Sequence, residues 1–163
     1  MHSRFLRWSP LVSPALAILA VSLAAPSAKA QSGEITGSWH FTLFQTVVQP
    51  NGQFEALATF TQDGSFIGTA QQDEIPIGPA EGPAHGSWQR RASKFVVTFL
   101  SILRQPDASL FGFLKVNMTL TLDPQTGQLI GDWSAQPLDP DGNAIGSPIG
   151  GNLKAKRILV DTP

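Results

Sequence analysis

Between Leu110 and Leu122 apolar and polar residues take turns. Leu110, Leu114, Val116, Met118, Leu120 and Leu122 share one side, and Lys115, Asn117, Thr119 and Thr121 share the other. A period of two belongs to a strand with one buried and one wet face, and a helix cannot satisfy it. The same alternation sets Phe54, Ala56, Ala58 and Phe60 against Glu55, Thr59 and Thr61. Helix-period segments are missing after residue 30. The turn-bounded runs predict eight strands: Thr36–Gln45, Phe54–Thr61, Ser65–Gln71, Gly86–Arg91, Lys94–Arg104, Leu110–Leu122, Gln128–Leu138 and Ala144–Ile158. The last carries Pro148 and two glycines, so an irregular start is expected. By parity Trp39, Phe41, Leu43, Trp88 and Trp133 face inward.

The connections alternate in length. Gln62-Asp63-Gly64, Ala92-Ser93 and Asp123 to Gly127 are short turns with hairpin chemistry. Thr46 to Gln53, Gln72 to His85, Gln105 to Ser109 and Asp139 to Asn143 are longer. In an up-and-down meander all short turns fall at one end and all longer loops at the other. The expected fold is all-β: a single eight-stranded antiparallel up-and-down barrel with a tight closed end and a looser mouth. Such a barrel is filled by side chains or holds one small ligand. A two-sheet sandwich built from the same hairpins is the alternative.

The first thirty residues read differently. His2, Arg4 and Arg7 form a short basic start, Leu11 to Ala25 is nearly unbroken apolar sequence, and Ala28-Lys29-Ala30 places small residues where a signal peptidase cuts. This order predicts a signal peptide over 1–30 and a barrel domain over 31–163, in a secreted or periplasmic protein with no stable membrane insertion after cleavage. Arg4, Arg7 and Lys29 leave with the leader, so eight Lys and Arg face twelve Asp and Glu, a formal charge of −4. That balance offers nucleic acid no basic field. The absence of cysteine rules out disulfides, thiol chemistry and cysteine-held metals.

Gly37-Ser38-Trp39, Gly86-Ser87-Trp88 and Gly131-Asp132-Trp133 repeat one small pattern. Glycine admits a close neighbour, and the indole two residues on fills the core on the same face. A Gly-x-Trp on the first strand of a small exported barrel resembles the lipocalin and wider calycin group. In lipocalins a basic residue of the last strand packs across that tryptophan and plugs the closed end. The resemblance implies that Gly37, Trp39 and Arg157 form this structural closed end here, and it implies an apolar ligand. The chain departs from lipocalins in length and in having no helix before Pro163. Avidin-like and allene-oxide-cyclase-like barrels match the strand count equally well.

No catalytic constellation, metal site or cofactor motif is present. His40 faces outward beside the closed end, and His85 opens the fourth strand at the mouth. Glu81, with Asp73 or Glu74, lies in the same loop as His85, but nothing in the sequence fixes an approach. Asp139-Pro140-Asp141-Gly142-Asn143 is read as a hairpin turn, because its glycine comes too early for a calcium loop and position 150 is Gly where Glu is required.

The mouth offers more. Its inward positions mix bulk with small side chains: Leu43, Phe54, Ala56, Ala70, Leu103, Leu110 and Ala135. With Trp133, His85 and Ile75 of the long loop they are the expected ligand-binding residues. Trp39, Phe60, Phe66, Phe95 and Leu129 should fill the other end. Phe111 and Phe113 have outward parity, and are covered by a loop or form a partner surface. Three functions follow, in descending order of support. The first is a binding protein for a small apolar molecule. The second is a structural or protein-interaction module without ligand. The third is a barrel isomerase or cyclase, which would need a substrate-sized cavity with His85 or a carboxylate turned inward.

Overall fold

A computed structural model describes residues 35–45, 52–71 and 80–160. The eight strands are β1 (Gly37–Gln45), β2 (Gln53–Phe60), β3 (Ser65–Ala70), β4 (Ala80–Arg91), β5 (Lys94–Arg104), β6 (Leu110–Leu122), β7 (Leu129–Leu138) and β8 (Ile149–Arg157). Each pairs antiparallel with its neighbour in the chain, and β1 pairs with β8, so the sheet closes into a barrel. The all-β up-and-down architecture expected from alternation is the one observed. The segment 1–30, Val47, Val48, Ile75 and the acidic pair Asp73 and Glu74 lie outside the described residues.

Two boundaries differ from the sequence reading by more than one residue. β8 begins at Ile149 rather than Ala144, which makes only an isolated bridge to Leu138. β4 begins at Ala80 rather than Gly86, because the strand runs through Gly82 and Pro83 by way of a bulge. Ala84 faces Ser101 and Glu81 faces Leu103, so three steps on β4 match two on β5. A second slip occurs on β6, where Leu103 faces Gly112 but Arg104 faces Leu110. An extra residue in one strand of a pair exchanges the inner and outer faces beyond it.

The closed end is packed solid. Trp39, Phe60, Phe95, Leu120 and Leu129 are fully or almost fully buried, and Phe66 nearly so. Phe60 meets Phe66 and Trp88 edge-on, with ring centres 5.3 and 5.9 Å apart. Ile35, just before β1, is also buried, and its carbonyl accepts the Trp39 indole N–H at 2.8 Å. Arg157 Cζ lies 4.4 Å from the centre of the Trp39 ring, and its guanidinium donates to the Thr36 carbonyl. Gly37 makes room for this group. A Cβ there would sit 2.8 Å from Arg157 Nη1, on a backbone whose φ of 122° side chains rarely adopt. In the other two Gly-x-Trp repeats the close neighbour is the adjacent strand's backbone. A Cβ on Gly86 would fall 2.1 Å from the Thr98 carbonyl oxygen, and one on Gly131 2.0 Å from that of Thr119.

Candidate functional site

Packing loosens toward the long-loop rim. The inward row Phe41, Leu43, Phe54, Ala56, Ala70 and Ala135 includes three alanines, and their missing bulk leaves a cavity of about 270 Å³ inside the barrel. Phe66, Phe99 and Met118 form part of its lining, and Gln45 and Gln71 stand at its rim. Phe66 and Phe99 stack with centres 4.7 Å apart and planes 18° apart. Trp133 closes one side, held edge-on by Phe54 at 5.5 Å and by an indole N–H bond to the Phe44 carbonyl at 3.3 Å. About 150 Å³ is enough for a benzene ring, and drug-sized ligands usually occupy about 300–1,000 Å³. The space therefore suits a substituted ring or a medium alkyl chain.

Of the residues singled out as ligand-binding, Leu43, Phe54, Ala56, Ala70, Leu103, Trp133 and Ala135 line this cavity. Two lie elsewhere. Leu110 is 48% exposed on the outer face, because the β6 bulge reverses its parity. His85 is exposed on the outside of β4, between Ile67 and Leu100 in register. Ile75 lies outside the described residues.

The cavity holds one group that sequence reading left in a loop. Glu81 lines it, and is the only ionisable side chain among the described lining residues. The β4 bulge turns it inward, opposite the buried Leu103. Burial pushes its carboxyl pKa up, while hydrogen bonding by the Ser101 hydroxyl pulls the other way. Ser101 is 1% exposed, in the same cross-strand row as the lining residues Ala84 and Leu114. Its hydroxyl is buried and makes no well-formed hydrogen bond among the described residues.

No family model, curated protein or solved structure matches this chain. What the site can do is therefore argued from its own chemistry. Besides Glu81, the polar residues of the described lining are Gln45, Thr69 and Gln71. Outside the barrel, His40 pairs with Glu55 at 2.9 Å, and Thr42 donates to the same carboxylate oxygen at 3.0 Å. This cluster faces solvent. Among the described residues no group of three or more His, Asp or Glu side chains is arranged to hold a metal ion. Asp139 organises its loop as a turn, accepting the backbone N–H groups of Asp141 and Asn143 at 3.0 and 2.7 Å.

Proposed function

We propose that this protein is an exported, lipocalin-like β-barrel that binds one small apolar molecule through its long-loop end. The observation that carries the reading is the cavity between a solid base and the rim, walled by Leu, Phe, Ala, Met and Trp side chains. Transfer of apolar surface from water into such a chamber is favourable at about 25 cal/mol per Å². The arrangement of Gly37, Trp39 and Arg157 supports the calycin comparison, since it matches the closed-end plug of that group. The basic, apolar and small-residue order of the first thirty residues supports export to the periplasm or beyond. Native mass spectrometry of protein purified from its own host tests the binding reading. A retained small molecule, lost on unfolding, is the expected result. Ligand-free protein whose Trp133 emission is unmoved by any short-chain apolar compound would overturn it.

A second reading rests on the outer surface. Ile67, Leu100 and Ile102 are each nearly half exposed, and half-buried Phe113 pairs with Ile102 in register. Leu100, Ile102 and Phe113 adjoin on β5 and β6, with Phe111 near the mouth, while His85 of β4 separates Ile67 from them. Contiguous apolar surface of this kind marks a protein-interaction face. Sedimentation of the purified protein decides its weight: a strict monomer that captures no partner from its host argues for the cavity alone. The isomerase or cyclase reading asked for His85 or a carboxylate turned inward: Glu81 supplies the carboxylate, and His85 stands outside.

A further inference from the structure

We propose that a ligand reaches the cavity sideways, through a slot in the barrel wall between β3 and β4, and lies there as an uncharged single-chain amphiphile, its tail inside the barrel and a hydroxyl head in the slot. The inference rests on the cavity-binding reading and adds the route of entry and the polar end of the ligand.

The ladder between β3 and β4 stops early. Ser65 to Gly68 face Ser87 to Ala84, and the pairing ends there. Continued in register, Thr69, Ala70 and Gln71 would face Pro83, Gly82 and Glu81. Both banks are among the described residues, and none of these pairs forms. The cause is in the sequence. Pro83 has no N–H to give to a ladder, and the bulge between Glu81 and Ala84 bends β4 at the same place. The cavity lies behind this gap. Gly68, Thr69, Ala70 and Gln71 line it from one bank, and Glu81 and Ala84 from the other.

The outer face adds a second, independent observation. An unbroken wall of strands lines its interior with inward-parity residues alone. On β1 and on β5 to β8 every lining residue obeys this rule. Leu57 and Thr69 do not: both are exposed on the outer face, and both line the cavity. The interior therefore reaches solvent through the wall beside β3. The backbone supplies the polar contact. Gln71 donates its N–H to the Glu55 carbonyl at 2.6 Å, on the β2 side. Successive residues of a strand send their backbone groups to opposite sides, so the N–H and C=O of Ala70 point to the slot, where β4 gives no ladder partner. A hydroxyl both accepts and donates, and so suits this pair. An ammonium only donates, and a carboxylate only accepts. The tail then lies against Phe66, Phe99 and Met118.

The chain contains no cysteine, so a single one can be placed and labelled cleanly. Thr69→Cys, exposed at the slot, is coupled to a bulky maleimide after folding. Gln105→Cys and Asp141→Cys, exposed on loops of the axial rim, are labelled as controls. Binding of 1-octanol is followed by stopped-flow Trp133 emission and by calorimetry. The Thr69→Cys label should slow association by about tenfold or more, and the two rim labels should leave it near the unlabelled rate. Gln71→Cys, on the same bank, replaces the first variant if that one does not fold. In the unlabelled wild-type protein 1-octanol should bind about three- to tenfold tighter than 1-fluorooctane, which has the same tail. Equal slowing by all labels, or slowing by the rim labels alone, overturns the route. Equal affinity for the two compounds overturns the hydroxyl assignment. The cavity reading stands in each of these cases. Failure of the wild-type protein to bind either compound removes both readings.

Discussion

The guanidinium of Arg157 lies over the face of Trp39, 4.4 Å from its centre, and ties the end of the last strand to the start of the first. The contact joins the two termini of the barrel at its closed end, with the Thr36 carbonyl as a second anchor. Replacing Arg157 with Ala should cost about 2–3 kcal/mol by urea unfolding, from the lost cation–π contact and the hydrogen bond to a charged donor. Lysine should recover little, since it lacks the planar fork that serves ring and carbonyl together. An Arg157→Lys protein as stable as wild type would show that charge alone closes the base.

Gly37 provides a coupled prediction. Its replacement by Ala meets both a positive φ and the Arg157 Nη1 atom. A loss of about 1–3 kcal/mol is expected. In the Arg157→Ala background the loss should shrink but not vanish, because the backbone strain remains when the clash is gone. Strict additivity in the double-mutant cycle would mean the two residues do not share this space.

Alanines at the two ends should respond oppositely to enlargement. Ala135 and Ala155 are both buried, but only Ala135 lines the cavity. Ala155→Leu should destabilise the barrel by about 1–3 kcal/mol through overpacking. Ala135→Leu should leave stability unchanged or raise it, and should abolish binding of short-chain probes. Thermal unfolding and probe titration of both variants check the contrast.

Glu81 gives the barrel a distinctive pH response. Burial raises its pKa above the ordinary 4.5, against the opposing hydrogen bond from Ser101. The folded state thus holds this proton more tightly than the unfolded chain, so ionisation costs stability. The cost is absent below the unfolded value, grows between the unfolded and folded values, and is complete above the latter. Glu81→Gln should raise Tm by a few degrees at pH 7 and leave it unchanged at pH 3. Equal shifts at both pH values would mean the carboxyl is not desolvated.

Four turn aspartates act in the other direction. Asp63, Asp107, Asp123 and Asp139 lie below their usual pKa, held there chiefly by the side chains of Thr61, Ser109, Thr126 and Asn143, and then by backbone N–H groups. Their contribution is present above the unfolded pKa and is lost as pH falls through the folded values. Stability should therefore drop below about pH 4. Asp139→Ala should lower the urea midpoint at pH 7, with the difference shrinking toward pH 2. A constant difference at both pH values would assign the effect to loop geometry rather than ionisation.

Alternation made most of this barrel readable. The bounds of β5 and β6 match the sequence reading at both ends. The short corners Gln62-Asp63-Gly64 and Ala92-Ser93 set the polarity of base and rim from turn chemistry alone. The closed-end trio was legible through the resemblance to calycins, since spacing alone does not separate Gly37 and Trp39 from the two other Gly-x-Trp repeats, whose glycines face strand backbone. Ile35 was not, since one buried residue ahead of a strand has no period to betray it. The misses at Leu110 and Glu81 share one cause. Counting outward from Trp88 by twos places Glu81 on the wet face, and counting from Leu114 places Leu110 inside. A bulge on each strand inverts that count. Bulges arise from pairing with the neighbouring strand, so the local pattern holds no trace of them, and Gly82-Pro83 disguised the first as a loop.

The pairing of β1 with β8 has one further consequence. A sheet that ends offers a row of unused backbone groups on which another molecule can add a strand, and proteins ordinarily guard that row with charge or proline. Here the ring is continuous, and the described strands present no such template. The leucines and isoleucines on its outer wall can therefore be tolerated without feeding fibre growth, even where many copies crowd together.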